Sequence, residues 1–201
     1  MQTRQAMVRR GRGRPRDAEK GAMIRDATWR VLAERGYEGL TFEAVAESAG
    51  CTRATLYRRF PSKVALIAAI LDGTARSSEP RLPPDISPRE ALVAHASSLA
   101  TYLSDVRGRA IMSLGASARC APELTAALGE HYAHEREYYQ REFRRLHPAA
   151  APEDVEFASH TLIGGVTYHV AMLHMPLSPA RIRQLVDQAI ALLAAGGPAE
   201  P

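Results

Sequence analysis

Apolar residues recur along this chain at the spacing of α-helices. Ile24, Ala27 and Val31 stand three or four positions apart, which places their side chains on one face of a helix. Gly36 then provides a residue that readily adopts the left-handed conformation in which helices often end. The sequence has neither the two-residue alternation nor the hairpin turns that indicate strands. The pattern predicts an all-α fold that opens with a helix over residues 17–36.

Two short helices are expected next. Thr41 offers a side-chain oxygen that caps the first, and Gly50 ends it. Thr52 stands before the second, in which Leu56 faces inward and which Pro61 stops. Two short helices joined by a glycine-containing turn, after a longer supporting helix, form the plan of a helix-turn-helix unit.

The rest of the chain also reads as helices. A longer apolar helix capped by Ser62 is expected to break at Gly73, and the proline-rich segment 77–86 predicts a linker. Ser87, followed by proline and then by glutamate at the third helical position, forms a capping box that starts the next helix. The remaining helices are predicted over residues 87–106, 109–118, 122–146, 152–174 and 178–195.

The outward side of the second short helix carries the candidate chemistry. Its outward residues are basic, hydroxylic or aromatic, namely Arg53, Thr55, Tyr57, Arg58 and Arg59. Such side chains suit phosphates and base edges of DNA. The plainer interpretation is a unit of three small helices that binds no ligand.

Charge is unevenly distributed and favours the same end of the chain. The net charge of the 201 residues is +4, but residues 1–63 hold 14 basic and 7 acidic residues, while the remainder holds 12 and 15. A polyanionic partner is therefore expected for the N-terminal third. Residues 1–16 contain six arginines and no acid, which predicts a disordered basic arm that either lies in a minor groove or is a solvated leader. Residues 196–201 are expected to be a disordered tail.

Composition argues against several other classes. Cys51 and Cys120 lie far apart without metal-ligand spacing, so neither a disulfide framework nor a zinc site is expected. No apolar run approaches the length of a membrane span, and a cytoplasmic protein without membrane association is expected. His131, His134 and Glu135 lack the order and third ligand of a metal motif, so a solvated helix face is the expectation. No enzyme motif, metal or cofactor is predicted.

The segment Leu40–Lys63 resembles the TetR family of bacterial transcriptional regulators. The similarity extends over about residues 18–71, and its most specific parts are Gly36-Tyr37 and Leu56-Tyr57-x-x-Phe60-x-x-Lys63. Two positions depart from the family pattern, since Cys51 replaces a Val or similar residue and Arg59 replaces a common His. Cys51 is interpreted as a small core residue, with a thiol sensor as the alternative. Arg59 is expected to alter a backbone contact or the half-site preference.

The resemblance implies a role for individual residues of the helix-turn-helix. Thr41, Tyr57 and Lys63 are expected to contact phosphates. The residues nearest to base edges are then Arg53, Ala54 and Thr55, where an arginine can bind guanine and a methyl group can meet thymine. Thr52 is interpreted as either a cap or a base-reading residue.

The resemblance also implies an architecture for the whole chain. Residues 17–76 would form the helix-turn-helix DNA-binding domain, and residues 87–195 a helical domain for effector binding and dimerisation. The last two helices would pair with those of a second copy, and the alternative is an intramolecular core. The interface residues expected are Ile163, Gly164, Val166, Val170, Leu185, Ala189 and Ile190.

An effector cavity is expected among the first helices of that second domain. Its candidate lining mixes apolar and hydrogen-bonding side chains, namely His95, Tyr102, Met112, Tyr139, Phe143, His169 and Met172. These types suit a flat or hydrophobic small molecule with few polar groups, although each residue also has a plain core or surface interpretation.

Together these features predict a homodimeric, ligand-responsive regulator of transcription. The most favoured form is a repressor that a small molecule releases from a palindromic DNA operator. The alternatives are an all-α enzyme or small-molecule carrier, or an activator or ligand-free regulator of the same family.

Overall fold

The computed structural model describes residues 14–78, 80–119 and 121–195, and all regular structure within these ranges is helical. The prediction of an all-α fold is confirmed. The α-helices are α1 (Arg14–Gly39), α2 (Phe42–Ser48), α3 (Arg53–Arg59), α4 (Lys63–Ser78), α5 (Pro88–Ser104), α6 (Val106–Ala118), α7 (Glu123–Leu146), α8 (Pro152–Thr167) and α9 (Pro179–Ala195). A π-helical turn, Tyr168–Met172, follows α8.

The first three helices follow the local signals in the sequence. The helical conformation of α1 is interrupted at Gly36, whose φ of 65° lies in the left-handed region. Thr41 caps α2 by accepting the amide of Ala44 at 3.1 Å, and Gly50, with a φ of 62°, allows the reversal into α3. Leu56 is fully buried between these helices. The helix-turn-helix prediction is therefore confirmed at the level of the backbone.

Helix α4 is longer than predicted. It continues through Gly73 to Ser78 and enters the predicted linker. A glycine inside a helix costs only about 1 kcal/mol, and the neighbouring Ile70 and Leu71 are buried, so packing outweighs this local penalty. Residues 14–16 of the predicted basic arm are also helical, while the rest of that arm and the tail 196–201 lie outside the described residues.

Helix α5 is the centre of the C-terminal half, because it packs against α6, α7, α8 and α9. The hydroxyl of Ser87 accepts the amide of Glu90 at 3.3 Å and donates to its carboxylate at 2.9 Å, as the capping sequence predicts. Helix α6 begins earlier than expected. Its cap is Asp105, whose carboxylate accepts the amides of Arg107 and Gly108 at 2.7 and 3.2 Å.

The two halves of the chain share one hydrophobic core. Helix α1 packs on α6 as well as on α2, and α4 packs on α7. Trp29 of α1 is 3% exposed and belongs to this core. The DNA-binding unit is thus seated on the C-terminal helices through two separate contacts. No helix within the described ranges has the length and apolarity needed to span a membrane.

Candidate DNA-binding surface and ligand cavity

The exposed face of α3 carries most of the predicted DNA-contacting residues. Arg53, Ala54, Tyr57 and Arg58 are exposed, and Thr55 is half-buried. The last turn of this helix therefore holds arginines beside an open surface, where they favour a negatively charged partner.

Arg53 is engaged within the protein. Its guanidinium donates to the carboxylate of Glu43 on α2 in an exposed ion pair. This hydrogen bond is the main reason why the pKa of Glu43 is lowered. To bind a guanine edge, Arg53 must turn away from Glu43, and an exposed ion pair is weak enough to allow that exchange.

The two threonines behave differently. The hydroxyl oxygen of Thr41 accepts the Ala44 amide, which leaves its hydrogen free to donate to a phosphate. Thr52 stands at the N-cap of α3, but its side chain makes no capping bond. Its hydroxyl instead lies 3.1 Å from that of Thr55, so the interpretation of Thr52 as a cap is wrong for the side chain.

Tyr57 is placed on the surface by an aromatic contact. Its ring packs edge-on against Phe42, with 4.7 Å between ring centroids. The side chain nevertheless remains 58% exposed. This contact holds the ring against α2 while most of the side chain stays open to a partner.

Lys63 is less available than its predicted role requires. Its ammonium group lies 3.7 Å from the centroid of the Tyr37 ring and donates to the Tyr37 carbonyl at 3.0 Å. Lys63 therefore holds the start of α4 to the end of α1. It reaches a phosphate only after giving up these contacts.

The two departures from the family pattern are accommodated in the fold. Cys51 is half-buried and packs against the hydrophobic core, as a small core residue does. Arg59 is half-buried, and one guanidinium nitrogen lies 3.7 Å from the position that a Cβ on Gly21 of α1 would occupy. Arg59 thus leans towards α1 and is less outward than predicted.

A cavity lies between α5 and α7. Three of the predicted effector-binding residues line it, namely His95, Tyr102 and Tyr139. The other lining residues are Pro80, Ser98, Leu99, His131, His134, Glu135 and Tyr138. The cavity volume is about 30 Å³, which suffices for water and is far below the roughly 300 Å³ of a typical ligand pocket. A ligand of ordinary size must therefore move the two helices apart.

Four predicted effector-binding residues lie elsewhere. Phe143 is fully buried in the core, and Met172 is 58% exposed on the π-helical turn. Met112 is half-buried on α6, outside the cavity lining. His169 lines a separate groove with Leu177 and other residues at the start of α9. The helical segment that begins with α8 continues as the π-helical turn to Met172, close to the predicted end at residue 174, but His169 and Met172 lie outside the cavity lining.

The expectation that His131, His134 and Glu135 form a solvated helix face is wrong. All three line the cavity, and His131 is buried at 7% exposure. Positions 131, 135 and 138 stand three or four apart, so they share one face of α7, and Tyr102 lies opposite. This spacing is the feature of the sequence that could have predicted a shared, covered face. In the described ranges no group of three ligating side chains is placed to hold a metal ion.

Burial shifts the pKa values of the titratable side chains that line the cavity. It raises the pKa of the Glu135 carboxyl to about 7 and, as the largest effect, lowers the pKa of the His131 ring. Burial, reinforced by the nearby Glu135, also raises the pKa of Tyr102. The hydroxyl of Tyr102 and Nδ1 of His131 are buried and have no hydrogen-bond partner among the residues that the structure describes.

His131 also connects the cavity to α4. The ring makes a hydrogen bond with the backbone carbonyl of Leu71, the residue at which the apolar part of that helix ends. A second, open groove lies beside it, lined by Ala68, Leu71 and Asp72 of α4 and by the same histidines of α7. His131 therefore contacts both the cavity and the helix that leads from the DNA-binding unit.

The predicted dimer residues divide into two groups. Val166 and Ala189 are fully buried within one chain and Val170 is 7% exposed, so these three side chains are covered by their own chain. Helices α8 and α9 pack on each other and on α5, and this packing buries those side chains within one chain. Of the others, Gly164 is exposed, whereas Ile163, Leu185 and Ile190 are half-buried.

Another face of α8 and α9 is exposed and apolar. Phe157 is 63% exposed, Tyr168 57% and Leu192 37%. Phe157, Gly164 and Tyr168 follow one another at spacings of seven and four, which places them on one side of α8. Sequence periodicity did not single out this face, because it marks which positions are apolar and not which of them the chain itself covers.

Comparisons with known proteins agree with this arrangement. Residues 24–70 match the sequence family described as bacterial regulatory proteins, tetR family. Residues 82–189, more than half of the chain, match the family described as tetracyclin repressor-like, C-terminal domain. The two matches cover the helix-turn-helix and the helical half that holds the cavity.

Individual relatives are transcriptional regulators. The uncharacterized HTH-type regulator YdeS of Bacillus subtilis (strain 168) is 29% identical over 192 residues, which is 89% of this chain and 91% of that protein. The HTH-type transcriptional repressor KstR of Rhodococcus jostii (strain RHA1) is 34% identical over 108 residues, about half of each chain. A transcriptional regulator from Saccharomonospora viridis, solved in complex with choline, has the same fold. Its TM-score is 0.65 at 19% identity, over 87% of this chain and 96% of that one.

Proposed function

The chain belongs to the TetR family of bacterial transcriptional regulators and is a DNA-binding regulator, and we propose that it acts as a homodimeric repressor which a small molecule releases from a palindromic operator. The exposed basic face of α3 carries this proposal. The naming of KstR as a repressor supports the sign of regulation. The proposed division is a DNA-binding domain over residues 17–76 and an effector-binding domain over residues 87–195.

The proposed DNA contact has a clear distribution of roles. Arg53, Ala54 and Thr55 open α3 and would lie nearest to base edges, while Arg58 and Tyr57 would bind phosphates. A single helix of this length reads few base pairs. A twofold dimer supplies a second α3 for the next major groove, about 34 Å away.

We assign the dimer contact to the exposed apolar face of α8 and α9. Phe157, Tyr168 and Leu192 present large apolar surfaces to solvent in a single chain. Gly164 lies between the first two without any side chain over it, which permits the close approach of a partner helix. Burial of these groups in a second copy would stabilise the dimer by the hydrophobic effect.

Release would proceed through α4. A ligand that separates α5 from α7 displaces His131, whose ring is bonded to the Leu71 carbonyl. Helix α4 then shifts and carries α1–α3 with it, so the two α3 helices of a dimer lose their spacing. Ligand and DNA thereby favour different conformations, and each lowers the affinity for the other by the same factor.

Selection from randomised DNA duplexes tests the DNA-binding part. We expect a palindromic consensus whose binding weakens steeply with salt, because arginine contacts to phosphates release counterions. Arg58→Ala should reduce binding to all duplexes alike. Recovery of unrelated sequences without a shared half-site would contradict the proposal.

A further inference from the structure

We propose that the cavity between α5 and α7 binds a protonated organic amine, whose ammonium group pairs with the carboxylate of Glu135 and donates a hydrogen bond to Nδ1 of His131. This inference rests on the ligand-responsive function proposed above, because it names the chemical class of the ligand. Both residues line the cavity and stand four positions apart on one face of α7.

His131 presents an acceptor to the cavity. Its ring bonds the Leu71 carbonyl, and Nδ1 is the ring atom that is left buried without a partner. Because a carbonyl only accepts hydrogen bonds, the ring must donate to Leu71, and we assign that proton to Nε2, so that Nδ1 offers its lone pair. Burial keeps the ring neutral by lowering its pKa. A ligand must therefore bring an N–H or O–H donor to this atom.

Glu135 presents a negative charge to the same space. No described residue forms a hydrogen bond or ion pair with its carboxylate. Two arginines of neighbouring segments are already paired, Arg107 with Asp105 at 2.7 Å and Arg141 with Glu142 at 3.0 Å. Burial alone raises the pKa of Glu135, so its charged form lacks compensation that a cation would supply.

The walls of the cavity also favour a cation. The ring of Tyr139 is buried and borders the site, and aromatic faces attract ammonium groups. The Tyr102 ring also borders the site, with the guanidinium of Arg107 5.7 Å from its centroid. Among the described residues, the lining includes no lysine or arginine. A carboxylate or phosphate ligand would therefore meet Glu135 without any compensating positive charge.

Only one ligand class satisfies both acceptors. A neutral alcohol can donate to His131 but leaves the Glu135 charge uncompensated. A quaternary ammonium compensates that charge but has no hydrogen to donate to Nδ1. A primary or secondary ammonium does both, and an attached apolar group can pack against Leu99 and the tyrosine rings.

The test uses four probes that share one aromatic ring. Benzylamine, benzyl alcohol, benzyltrimethylammonium and phenylacetate are titrated calorimetrically into the full chain at neutral pH. We expect benzylamine to bind at least about tenfold more tightly than benzyl alcohol, more tightly than benzyltrimethylammonium, and phenylacetate not to bind. Equal affinity of benzylamine and benzyl alcohol, or tighter binding of phenylacetate, would overturn the inference.

Variants of Glu135 and His131 distinguish the effect of the carboxylate charge from that of the cavity shape. Glu135→Gln should lower the affinity for benzylamine by about tenfold or more and leave that for benzyl alcohol unchanged, whereas Glu135→Asp should retain the preference for the amine. His131→Phe should remove the preference for benzylamine over benzyltrimethylammonium. Circular dichroism verifies the fold of each variant. Unaltered benzylamine affinity in a folded Glu135→Gln protein contradicts the proposed site.

A final arm distinguishes the ligand class from the function. The affinity for the selected operator duplex is measured with and without saturating probe. If benzylamine binds by these rules but operator affinity stays the same, the ligand class stands and the ligand-responsive function fails. If benzyl alcohol or phenylacetate weakens operator binding while benzylamine does not bind, the function stands and the ligand class is wrong.

Discussion

The hydroxyl of Tyr37 donates a hydrogen bond of 2.8 Å to the carboxylate of Glu123, and this bond joins the end of α1 to the first turn of α7. Burial and this bond raise the pKa of Tyr37 to about 12. The ring of Tyr37 also carries the ammonium group of Lys63 on its face. One side chain therefore ties together the supporting helix, the connecting helix and the helix that lines the ligand cavity.

Tyr37→Phe is expected to loosen this junction without unfolding the chain. The ring stays in place, and Glu123 remains solvated, so only one net hydrogen bond is lost. Amide hydrogen exchange at the end of α1 and in the first turn of α7 should become about 2- to 10-fold faster. Glu123→Gln retains an acceptor and serves as the control, which should exchange like the wild type. Exchange that is equal in Tyr37→Phe and wild type would show that the bond does not restrain the junction.

Lys63 is expected to contribute to stability as well as to DNA binding. Lys63→Met keeps the aliphatic stem but removes the ammonium group from the Tyr37 ring and carbonyl. We expect a loss of about 1 kcal/mol in the free energy of unfolding by urea, together with weaker binding to all duplexes. Lys63→Arg keeps the charge over the ring and should retain most of the stability. Wild-type stability of Lys63→Met would argue against this role.

Arg53→Ala is expected to relax base preference. The lost guanidinium should reduce discrimination at one operator position by about tenfold or more. Arg58→Ala, on the same exposed helix, should instead lower affinity for all sequences and reduce the salt slope by about one. Repeated selection with each variant measures both effects. An unchanged consensus for Arg53→Ala would rule out its assignment as a base-reading residue.

Charge placed on the two sides of α8 should have opposite consequences. Phe157→Glu lies on the exposed face and should give a folded monomer with weak operator binding. Val166→Glu lies in the core of one chain and should unfold it, because a buried unpaired charge costs several kcal/mol. Light scattering and circular dichroism distinguish the two outcomes. A persistent dimer in both Phe157→Glu and Leu192→Glu would place the interface elsewhere.

Glu135 should make stability depend on pH. Its carboxyl releases a proton near pH 4.5 in the unfolded chain and near pH 7 in the folded one. Between these values the folded state holds the additional proton, so its stability falls as the pH rises, and the whole penalty is present above pH 7. Glu135→Gln does not titrate, so its advantage over the wild type should grow by about 1–3 kcal/mol from pH 4.5 to 8.

The facing groups are unchanged in this comparison. They are His95 and Tyr102 of α5 and His131, Tyr132, His134, Tyr138 and Tyr139 of α7. Burial raises the pKa of Tyr102, Tyr132 and Tyr139 above the value of free tyrosine, so these groups do not titrate between pH 4.5 and 8. The histidines are present in both proteins, so subtracting the two unfolding curves removes most of their contribution. A difference between the two proteins that is independent of pH would show that Glu135 is ionised in the fold as it is in the unfolded chain.

The helices and their ends were readable in the sequence because their causes are local. Caps such as Thr41 and Ser87 act on amides within three residues. Gly50 supplies a left-handed turn residue by itself. These signals, with apolar periodicity, were sufficient for the all-α fold and for the helix-turn-helix with α3 facing outward. The resemblance of residues 40–63 to the TetR family rests on the same short segment.

Tertiary structure decided what the helices cover. Periodicity marked α8 as apolar on several sides, but only the packing of α5 and α9 shows that Val166 is enclosed while Phe157 stays open. In the same way α5 encloses His131 and Glu135, which look like solvated polar residues in isolation. The physical reason is that the burial of a side chain and its hydrogen-bond or ion-pair partners depend on elements remote in sequence. No local pattern specifies which helix packs on a given face.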